Sequence, residues 1–304
     1  MDFHYFLQQI VNGLSVGAIY ALIAVGYTMV YGILRLINFA HGDVFMVGAM
    51  TALLLAQSLG WTGGFAVLFY LMAAILVCSA LGFTIERLAY RPLRNQGRLT
   101  SLITAIGVSL LLEYGGQLPF VFGPTDKVMP EIWPALSRRI SLSGVEVSYI
   151  DLVVFALTLI LMLVLTYIVL YTRVGLAIRA VSFNFGTASL MGVNVNRVIS
   201  YTFILGSAMA AAGGLLYAMK YLTINPLTGL VPGLKAFIAA VIGGIGNIPG
   251  AVVGGILLGM VEGLVAAYIP QGSQYRDGAA FLILITILLV SPSGLFGKST
   301  VEKV

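Results

Sequence analysis

The sequence predicts an all-α polytopic membrane protein with about 8–10 transmembrane helices, two of them interrupted, near 38–43 and 243–250. Of its 304 residues, 60% are hydrophobic and only 9% are charged, whereas a soluble domain carries about 25% charged residues. The apolar residues form runs of roughly 20, the length with which an α-helix crosses a hydrocarbon core of about 30 Å. The alternating segments of about 10 residues that are typical of a transmembrane β-barrel are not found in these runs.

The apolar segments predict spans, in chain order, at 8–33, 36–58, 63–85, 99–121, 149–171, 198–219, a short 234–247, 250–269 and 278–296. Arginines concentrate in 86–98 and 172–197, and the tail carries Lys298 and Lys303. Because short loops rich in Lys and Arg stay in the cytoplasm, these places predict a cytoplasmic C terminus and put 122–148 on the opposite side. Nine spans would place the N terminus outside, whereas one re-entrant segment would place it inside, and hydropathy does not decide between them.

The stretch INFAHGDVFMVGAM, residues 37–50, interrupts an apolar span with polar side chains. It contains Asn38, His41, Gly42 and Asp43. An aspartate near mid-membrane costs about 3 kcal/mol on the insertion scale. Two interpretations follow. The polar residues form an interfacial turn between two spans, or they form the elbow of a broken helix that lines a substrate path.

A second interruption lies in GGIGNIPGAVVGGILLG, residues 243–259, at Gly246, Asn247 and Pro249. Close helix packing explains the glycines after residue 250, but it does not explain the GNIP sequence. The two stretches share an Asn, a Gly three or four residues later and a Val, and they lie in the two halves of the chain. Paired interruptions of this kind are typical of the central site of a transporter, although this match is short.

Two further acids, Glu113 and Glu262, lie within apolar segments. They could form an ion or proton relay, as in a secondary transporter, or a helix–helix hydrogen bond, which we favour because no chain of acids and bases connects them. The sequence has two histidines and one cysteine, too few for the usual metal ligand sets. We therefore predict no catalytic residues, no metal and no bound cofactor, and expect that any energy for transport comes from other subunits.

The longest basic connection, RVGLAIRAVSFNFGTASLMGVNVNRVISYTF, covers residues 173–203. Apolar residues alternate in it with Gly, Asn and Arg, a composition that suits a short amphipathic helix along the cytoplasmic face of the membrane. A surface linker without a partner is the other interpretation.

Several long segments resemble a known family: NGLSVGAIYALIAVGYTMVYGILRLINFAHGDVFMVGA, IERLAYRPLR, TAIGVSLLL, ASLMGVNVNRVISYTF, NPLTGLVPGLKAFIAAVIGGIGNIPGAVVGG and VEKV. Together they resemble the permease subunits of bacterial ABC importers for branched-chain amino acids. The resemblance runs from about residue 8 to the last residue. It implies one transmembrane permease domain over 1–304, in the bacterial inner membrane, with a cytoplasmic coupling loop at 172–198.

The resemblance also implies the partners: a second related permease, two ATPase subunits that use ATP, and a periplasmic binding protein. In the coupling loop, importer permeases often carry E-A-A-x-x-x-G. Here Ala188 and Gly192 are in register, but Gly186 and Thr187 stand where Glu and Ala would be. This departure removes an acidic docking contact and leaves Arg179 and Arg197 as polar anchors.

The expected function is therefore import of branched-chain amino acids into the cytoplasm, powered by separate ATPase subunits. Related permeases carry urea, short amides or other amino acids, and nothing in the apolar sequence separates these substrates. An ion-coupled secondary transporter remains the alternative from another class, with Asp43, Glu113 and Glu262 as relay candidates.

Overall fold

The computed structural model describes residues 3–94, 96–142 and 144–297. Its α-helices are α1 (Phe3–Leu34), α2 (His41–Leu59), α3 (Gly64–Ile85), α4 (Arg91–Leu93), α5 (Arg98–Gly116), α6 (Tyr149–Tyr171), α7 (Arg173–Phe183), α8 (Phe185–Leu190), α9 (Val195–Tyr221), α10 (Leu230–Gly243), α11 (Ile248–Tyr268) and α12 (Gly272–Val290). A π-helical turn, Glu86–Tyr90, joins α3 to α4. Lys298 and Lys303, which we used to predict the side of the C terminus, lie outside the described residues.

The described strands form two small antiparallel ladders. β1 (Lys127–Val128) pairs with β4 (Thr223–Ile224), and β2 (Arg139–Leu142) pairs with β3 (Val145–Ser148). A single 3-10 turn, Pro134–Ser137, precedes β2. Short ladders of this size tie connections together without building a sheet core.

Within the described residues, eight helices are long and apolar enough to cross a membrane: α1, α2, α3 continued to Leu93, α5, α6, α9, α11 and α12. The ninth apolar helix, α10, has only 14 residues and is therefore about 21 Å long, too short for a full span. The predicted fold class is confirmed. Near both predicted interruptions one helix ends and the next begins, across residues 35–40 and 244–247, and α2 then runs without a break from His41 to Leu59.

The core of the bundle is α1, which packs against α9 and α11 through small residues. A Cβ atom added to Gly17 would lie 2.8 Å from the carbonyl oxygen of Gly255, and one added to Gly13 would lie 2.7 Å from that of Gly259. In a membrane, where lipid competes for apolar side chains, such close backbone contact supplies the packing energy between helices. Alanines and leucines in the middle of α1 are consequently buried.

The bundle has two ends that can be told apart by their loops. We call one of them the basic end. There Arg35, the residue that follows α1, lines a cleft together with Phe183 and Phe185. At the opposite end, which we call the loop end, Gln8 near the start of α1 donates through Nε2 to the carbonyl oxygen of Glu146 on β3, at 2.8 Å. The arginine-rich connections and the 122–148 loop therefore lie at opposite ends, as the sequence predicts.

The helix α2 begins well inside the bundle. The imidazole of His41 packs against Gly26, which precedes the end of α1 by eight residues, or about 12 Å along the helix. The Sγ atom of Cys78, near the middle of the helix that runs from Gly64 to Leu93, donates to the carbonyl oxygen of Val44 at 3.3 Å. The segment 35–40 thus turns back into the bundle before α2 starts.

The helix α10 also begins inside the bundle, beside the start of α2. A Cβ atom on Gly42 would lie 2.6 Å from the carbonyl oxygen of Gly229 and 3.0 Å from the Cα atom of Gly233. Glycine at all three positions allows the two helix N termini to meet. The chain enters α10 from the loop end, after β4, and α10 then runs toward the basic end.

The second interruption is the tip of a helical hairpin formed by α10 and α11. Gly243 faces Gly250 across the hairpin, and Gly246 approaches Gly32 near the end of α1. Asn247 caps α11, because its Oδ1 atom accepts from the N–H of Gly250 at 3.1 Å. The sequence GNIP therefore closes a turn at the basic end.

Candidate functional site

A cavity of about 250 Å³ lies where the N termini of α2 and α10 face α1 and α5. Its wall combines an acidic region with a large apolar area; the lining residues are Tyr27, Phe39, Gly42, Asp43, Ile106, Ser109, Leu110, Glu113, Gly229, Leu230, Gly233 and Leu234. We call it the elbow pocket. Each of its four helices contributes at least one residue, so its shape depends on how α2 and α10 are held against α1 and α5.

Two carboxylates face the elbow pocket. Asp43 is buried, and its Oδ2 atom accepts from the hydroxyl of Ser109 at 2.5 Å. Glu113 follows Ser109 by one helical turn on α5, so both side chains face the same neighbour. Glu113 is only 6% exposed. Among the described residues, no hydrogen-bond donor reaches its carboxylate, and no Lys, Arg or His lines the pocket.

The helix starts at the elbow pocket are both without a side-chain cap. Neither Ala40, the N-cap residue of α2, nor Gly229, the N-cap residue of α10, offers a side-chain hydrogen bond. The N terminus of a helix carries about half a positive charge, which favours anions within its first turn. Asp43 lies in the first turn of α2, so the local backbone partly stabilises its carboxylate.

The elbow itself is held by side chains from the neighbouring helices. The Oδ1 atom of buried Asn38 accepts from the hydroxyl of Tyr90, in the π-helical turn, at 2.9 Å. The ring of His41 packs edge-on against Tyr27, with 4.5 Å between the ring centroids. Within the described residues, the Nε2 atom of His41 has no hydrogen-bond partner. Where a helix is interrupted inside a membrane, neighbouring side chains have to pack around the backbone groups that lose their helical hydrogen bonds and keep lipid away from them.

The structure brings the first predicted cluster together, since Asn38, His41, Gly42 and Asp43 all lie at or beside the elbow pocket. It does not bring the second cluster there. Gly246, Asn247 and Pro249 lie at the hairpin tip, at the other end of α10, where the Nδ2 atom of Asn247 donates to the carbonyl oxygen of Phe296 at 2.9 Å. Their place on a transport path stays a prediction.

Sequence reasoning did not identify Tyr27, Ser109 and Gly229 as parts of the site. For Ser109 a signal exists in the sequence, because it precedes Glu113 by four residues and therefore shares its helical face. For Tyr27 and Gly229 no local pattern exists, since the contacts that bring them to Asp43 join distant parts of the chain.

The other intramembrane acid, Glu262, is paired. Its carboxylate lies 3.0 Å from the ammonium group of Lys235, which also contacts Asp277 at 2.7 Å. The hydroxyl of Tyr20 donates to Glu262 at 3.1 Å. This arrangement fits the helix–helix interpretation of Glu262 and ties α1, α10, α11 and α12 together. A buried pair of this kind is costly to break one partner at a time.

The predicted coupling segment forms α7 and α8 at the basic end. The guanidinium of Arg179 donates to the carbonyl oxygen of Val169, which fixes α7 to α6. In α8, Ala188 is buried, whereas Leu190 and Met191 are exposed at 89% and 80%. Gly192 follows with a φ of 83°.

Two further predicted residues lie close to this helix. The N–H of Thr187 donates to the Oδ1 atom of Asn184, the N-cap residue of α8, at 2.9 Å. Arg197 lines a cleft of about 330 Å³ with Arg87 and Arg91. The coupling segment therefore presents an apolar tip beside a basic cleft.

Comparisons with known proteins identify the family of this chain. The family described as "Branched-chain amino acid transport system / permease component" matches residues 9–291. The high-affinity branched-chain amino acid transport system permease protein LivH of Escherichia coli K12 is 44% identical over 312 residues, which cover 100% of this chain and 99% of that protein. The corresponding protein BraD of Pseudomonas aeruginosa is 44% identical over 309 residues, with the same coverage. The probable permease LivH of Methanocaldococcus jannaschii is 30% identical over 290 residues, 91% of this chain and 88% of that protein.

Proposed function

Because the chain belongs to the family of permease components of branched-chain amino acid transport systems, we propose that it carries branched-chain amino acids across the bacterial cytoplasmic membrane. It does so as one permease subunit of an ABC importer. The observation that supports this proposal most directly is the identity of 44% over its full length to permeases of such systems. The elbow pocket, with an acidic region and apolar walls, is the part of the chain where the cargo passes.

The importer needs other subunits. A second, related permease subunit completes the pathway, two ATPase subunits bind at the basic end and hydrolyse ATP, and a periplasmic binding protein delivers cargo at the loop end. In this arrangement the C terminus is cytoplasmic. The chain itself contributes no catalytic residue, cofactor or metal ligand to the cycle.

The coupling segment, 172–198, is the contact with the ATPase subunits. The exposed pair Leu190 and Met191 at the tip of α8 suits insertion into an apolar cleft of another subunit. Met191→Glu should weaken co-purification of the ATPase subunits, because it places a charge in that contact. Ser141→Glu is the matched control, since it adds the same charge at an exposed position of β2, at the loop end. Equal co-purification of both variants would remove α8 from the contact.

The function is tested by initial-rate uptake of labelled leucine in cells with and without the gene. Valine, isoleucine and urea are added as competitors, and the membrane potential is collapsed while ATP is maintained. We expect uptake to be lost on deletion, blocked by valine and insensitive to the collapsed potential. Loss of uptake with the potential would instead place the protein among secondary transporters, and competition by urea alone would change its cargo.

A further inference from the structure

The elbow pocket contains two acids and lacks a cation. Its acidic region is formed by Asp43, Ser109 and Glu113, and within the described residues no basic side chain lines the cavity. Elsewhere in the described bundle, buried acids have a basic partner within 3.0 Å: Glu86 with Arg94, Asp151 with Lys220, and Glu262 with Lys235. Among the buried acids of the described residues, Asp43 and Glu113 are therefore the two that have no basic partner.

The two acids differ in how the fold supports them. Asp43 has the hydroxyl of Ser109 and the first turn of α2. Glu113 lies in the last turn of α5, which ends at Gly116, and a helix C terminus disfavours negative charge. Glu113 as a residue is 6% exposed and lines the cavity, and no N–H or hydroxyl group of the described residues donates to its carboxylate. The carboxyl groups of Asp43 and Glu113 lie close enough to hydrogen-bond to each other by sharing one proton. The pair then still carries one negative charge, which no basic side chain of the described pocket balances.

An ammonium group supplies what the pair lacks. It carries three N–H donors and one positive charge, enough for one carboxylate oxygen on each acid and one hydroxyl. Hydrogen bonds between an ammonium and a carboxylate are charge-assisted and are about twice as strong as neutral ones. Such binding forms no covalent bond, so an amino acid that is bound in this way can pass through the pocket unchanged.

The rest of the elbow pocket suits the remainder of an amino acid with a branched aliphatic side chain. Apolar side chains cover the wall away from the acids: Phe39, Ile106, Leu110, Leu230 and Leu234. The cavity of about 250 Å³ is slightly smaller than the pockets of about 300–1,000 Å³ that hold drug-sized ligands, which suits a ligand as small as valine or leucine. The start of α10 adjoins the same cavity, and the partial positive charge of a helix N terminus favours the carboxylate of an amino acid there.

We propose that Asp43 and Glu113 together bind the α-ammonium group of an amino acid in transit through the elbow pocket, with its aliphatic side chain against Ile106, Leu110 and Leu234. The proposal rests on the transport function above and names the part of the cargo that this chain recognises. It also separates cargo classes that the sequence leaves open. Urea and short amides carry no ammonium group, so they do not satisfy the two acids.

Cysteine chemistry tests the charge of the pocket without relying on transport. The variant Leu110→Cys places a thiol on the pocket wall, and Thr62→Cys places one in water, at an exposed position of the connection between α2 and α3 at the loop end. The only native cysteine, Cys78, is fully buried. In membranes that contain the complete importer, both variants are treated with a cationic ethylammonium and an anionic ethylsulfonate methanethiosulfonate reagent.

We expect the ratio of the cationic to the anionic modification rate to be about tenfold higher for Leu110→Cys than for Thr62→Cys, because an acidic cleft concentrates cations. Adding Glu113→Gln should bring the ratio at Leu110→Cys down to the value at Thr62→Cys. Asp43→Asn provides a second, independent removal of charge. Co-purification of the ATPase subunits shows that each variant is assembled. Equal ratios at the two cysteines would overturn the proposal.

Cargo protection tests the ligand. Leucine with the binding protein and ATP should slow modification of Leu110→Cys, and urea at the same concentration should not. Protection by urea, or no protection by leucine, would overturn the ammonium site. The uptake assay on the unmodified importer reports on the transport function separately, so intact leucine uptake without charge selectivity would reject this inference alone.

Discussion

The meeting of α2 and α10 at Gly42 makes a specific prediction for Gly42→Ala. The added Cβ atom would lie 2.6 Å from the carbonyl oxygen of Gly229 and 3.0 Å from the Cα atom of Gly233. Both neighbours are backbone atoms, so no side-chain rotation relieves the contact. The two helix N termini would have to separate, and the wall of the elbow pocket would move with them.

The cost follows from the size of the overlap. A carbon atom and an oxygen atom pack at about 3.4 Å or more, so the helices must move apart by roughly 0.5 to 1 Å at this point. Inserting a methyl group into a well-packed core costs about 1–3 kcal/mol. We therefore expect Gly42→Ala to lower the free energy of unfolding by about 2 kcal/mol and to reduce the rate of uptake.

Gly107→Ala is the matched control. It adds the same methyl group in the interior of α5, where the structure shows nothing within 4 Å of the new atom. In a membrane-spanning helix this change should leave both stability and uptake close to those of the parent chain. The two variants are compared by the thermal unfolding of the purified importer and by initial-rate leucine uptake.

The reasoning fails if Gly42→Ala melts with the parent and transports leucine at the parent rate. Such a result would mean that the start of α10 moves freely with respect to α2. A loss of stability with full transport would be informative in another way, because it would separate the packing of the two helices from the path of the cargo.

Three further predictions concern contacts around the site. Lys235→Met should destabilise the protein by about 3 kcal/mol, because it leaves the Glu262 carboxylate buried without its cation. In a thermal melt, the double variant Lys235→Met with Glu262→Gln should recover most of this loss. Additive losses in the double variant would contradict the pairing. Tyr90→Phe should lower the free energy of unfolding by about 1 kcal/mol, because the hydrogen bond to Asn38 is lost. Asn38→Ala should then destabilise the Tyr90→Phe variant less than it destabilises the parent chain. Equal effects in the two backgrounds would show that this hydrogen bond does not contribute to stability. Gly192→Ala should lower the free energy of unfolding by about 1 kcal/mol, since a φ of 83° disfavours a side chain. It should also lower the ATPase activity that the loaded binding protein stimulates. Unchanged stimulation would show that Gly192 is not part of the coupling segment.

Much of the fold follows from local patterns in the sequence. Hydropathy placed the spans close to their observed bounds, for example 149–171 for α6 and 250–269 for α11. The break before His41 was predicted from the cost of placing Asp43 in lipid, which depends only on residue type and position. These features are local because the membrane itself imposes length and polarity on each segment.

The geometry of the site could not be predicted in the same way. Nothing near Asp43 in the sequence indicates that Gly229 meets Gly42, because this contact joins residues far apart in the chain. The similarity between the two interrupted stretches suggested one shared site. The structure instead places Asn247 at a hairpin tip, where it caps α11, since an Asn before Ile-Pro is also a common helix cap.

The energetics of the elbow pocket give a reason for the proposed binding of cargo at this place. Burial of Asp43 is offset by the Ser109 hydroxyl, at about 1.5–3 kcal/mol, and by the start of α2, at up to about 2 kcal/mol. Glu113 has neither support, because it lies in the last turn of α5. A membrane protein that keeps a buried acid without a partner gives up stability that an apolar residue would provide. That loss is recovered whenever a cation enters the pocket, and it returns when the cation leaves. The proposed site would therefore favour the ammonium group of the cargo in transit, and conduction along a pathway requires that such a group also be released.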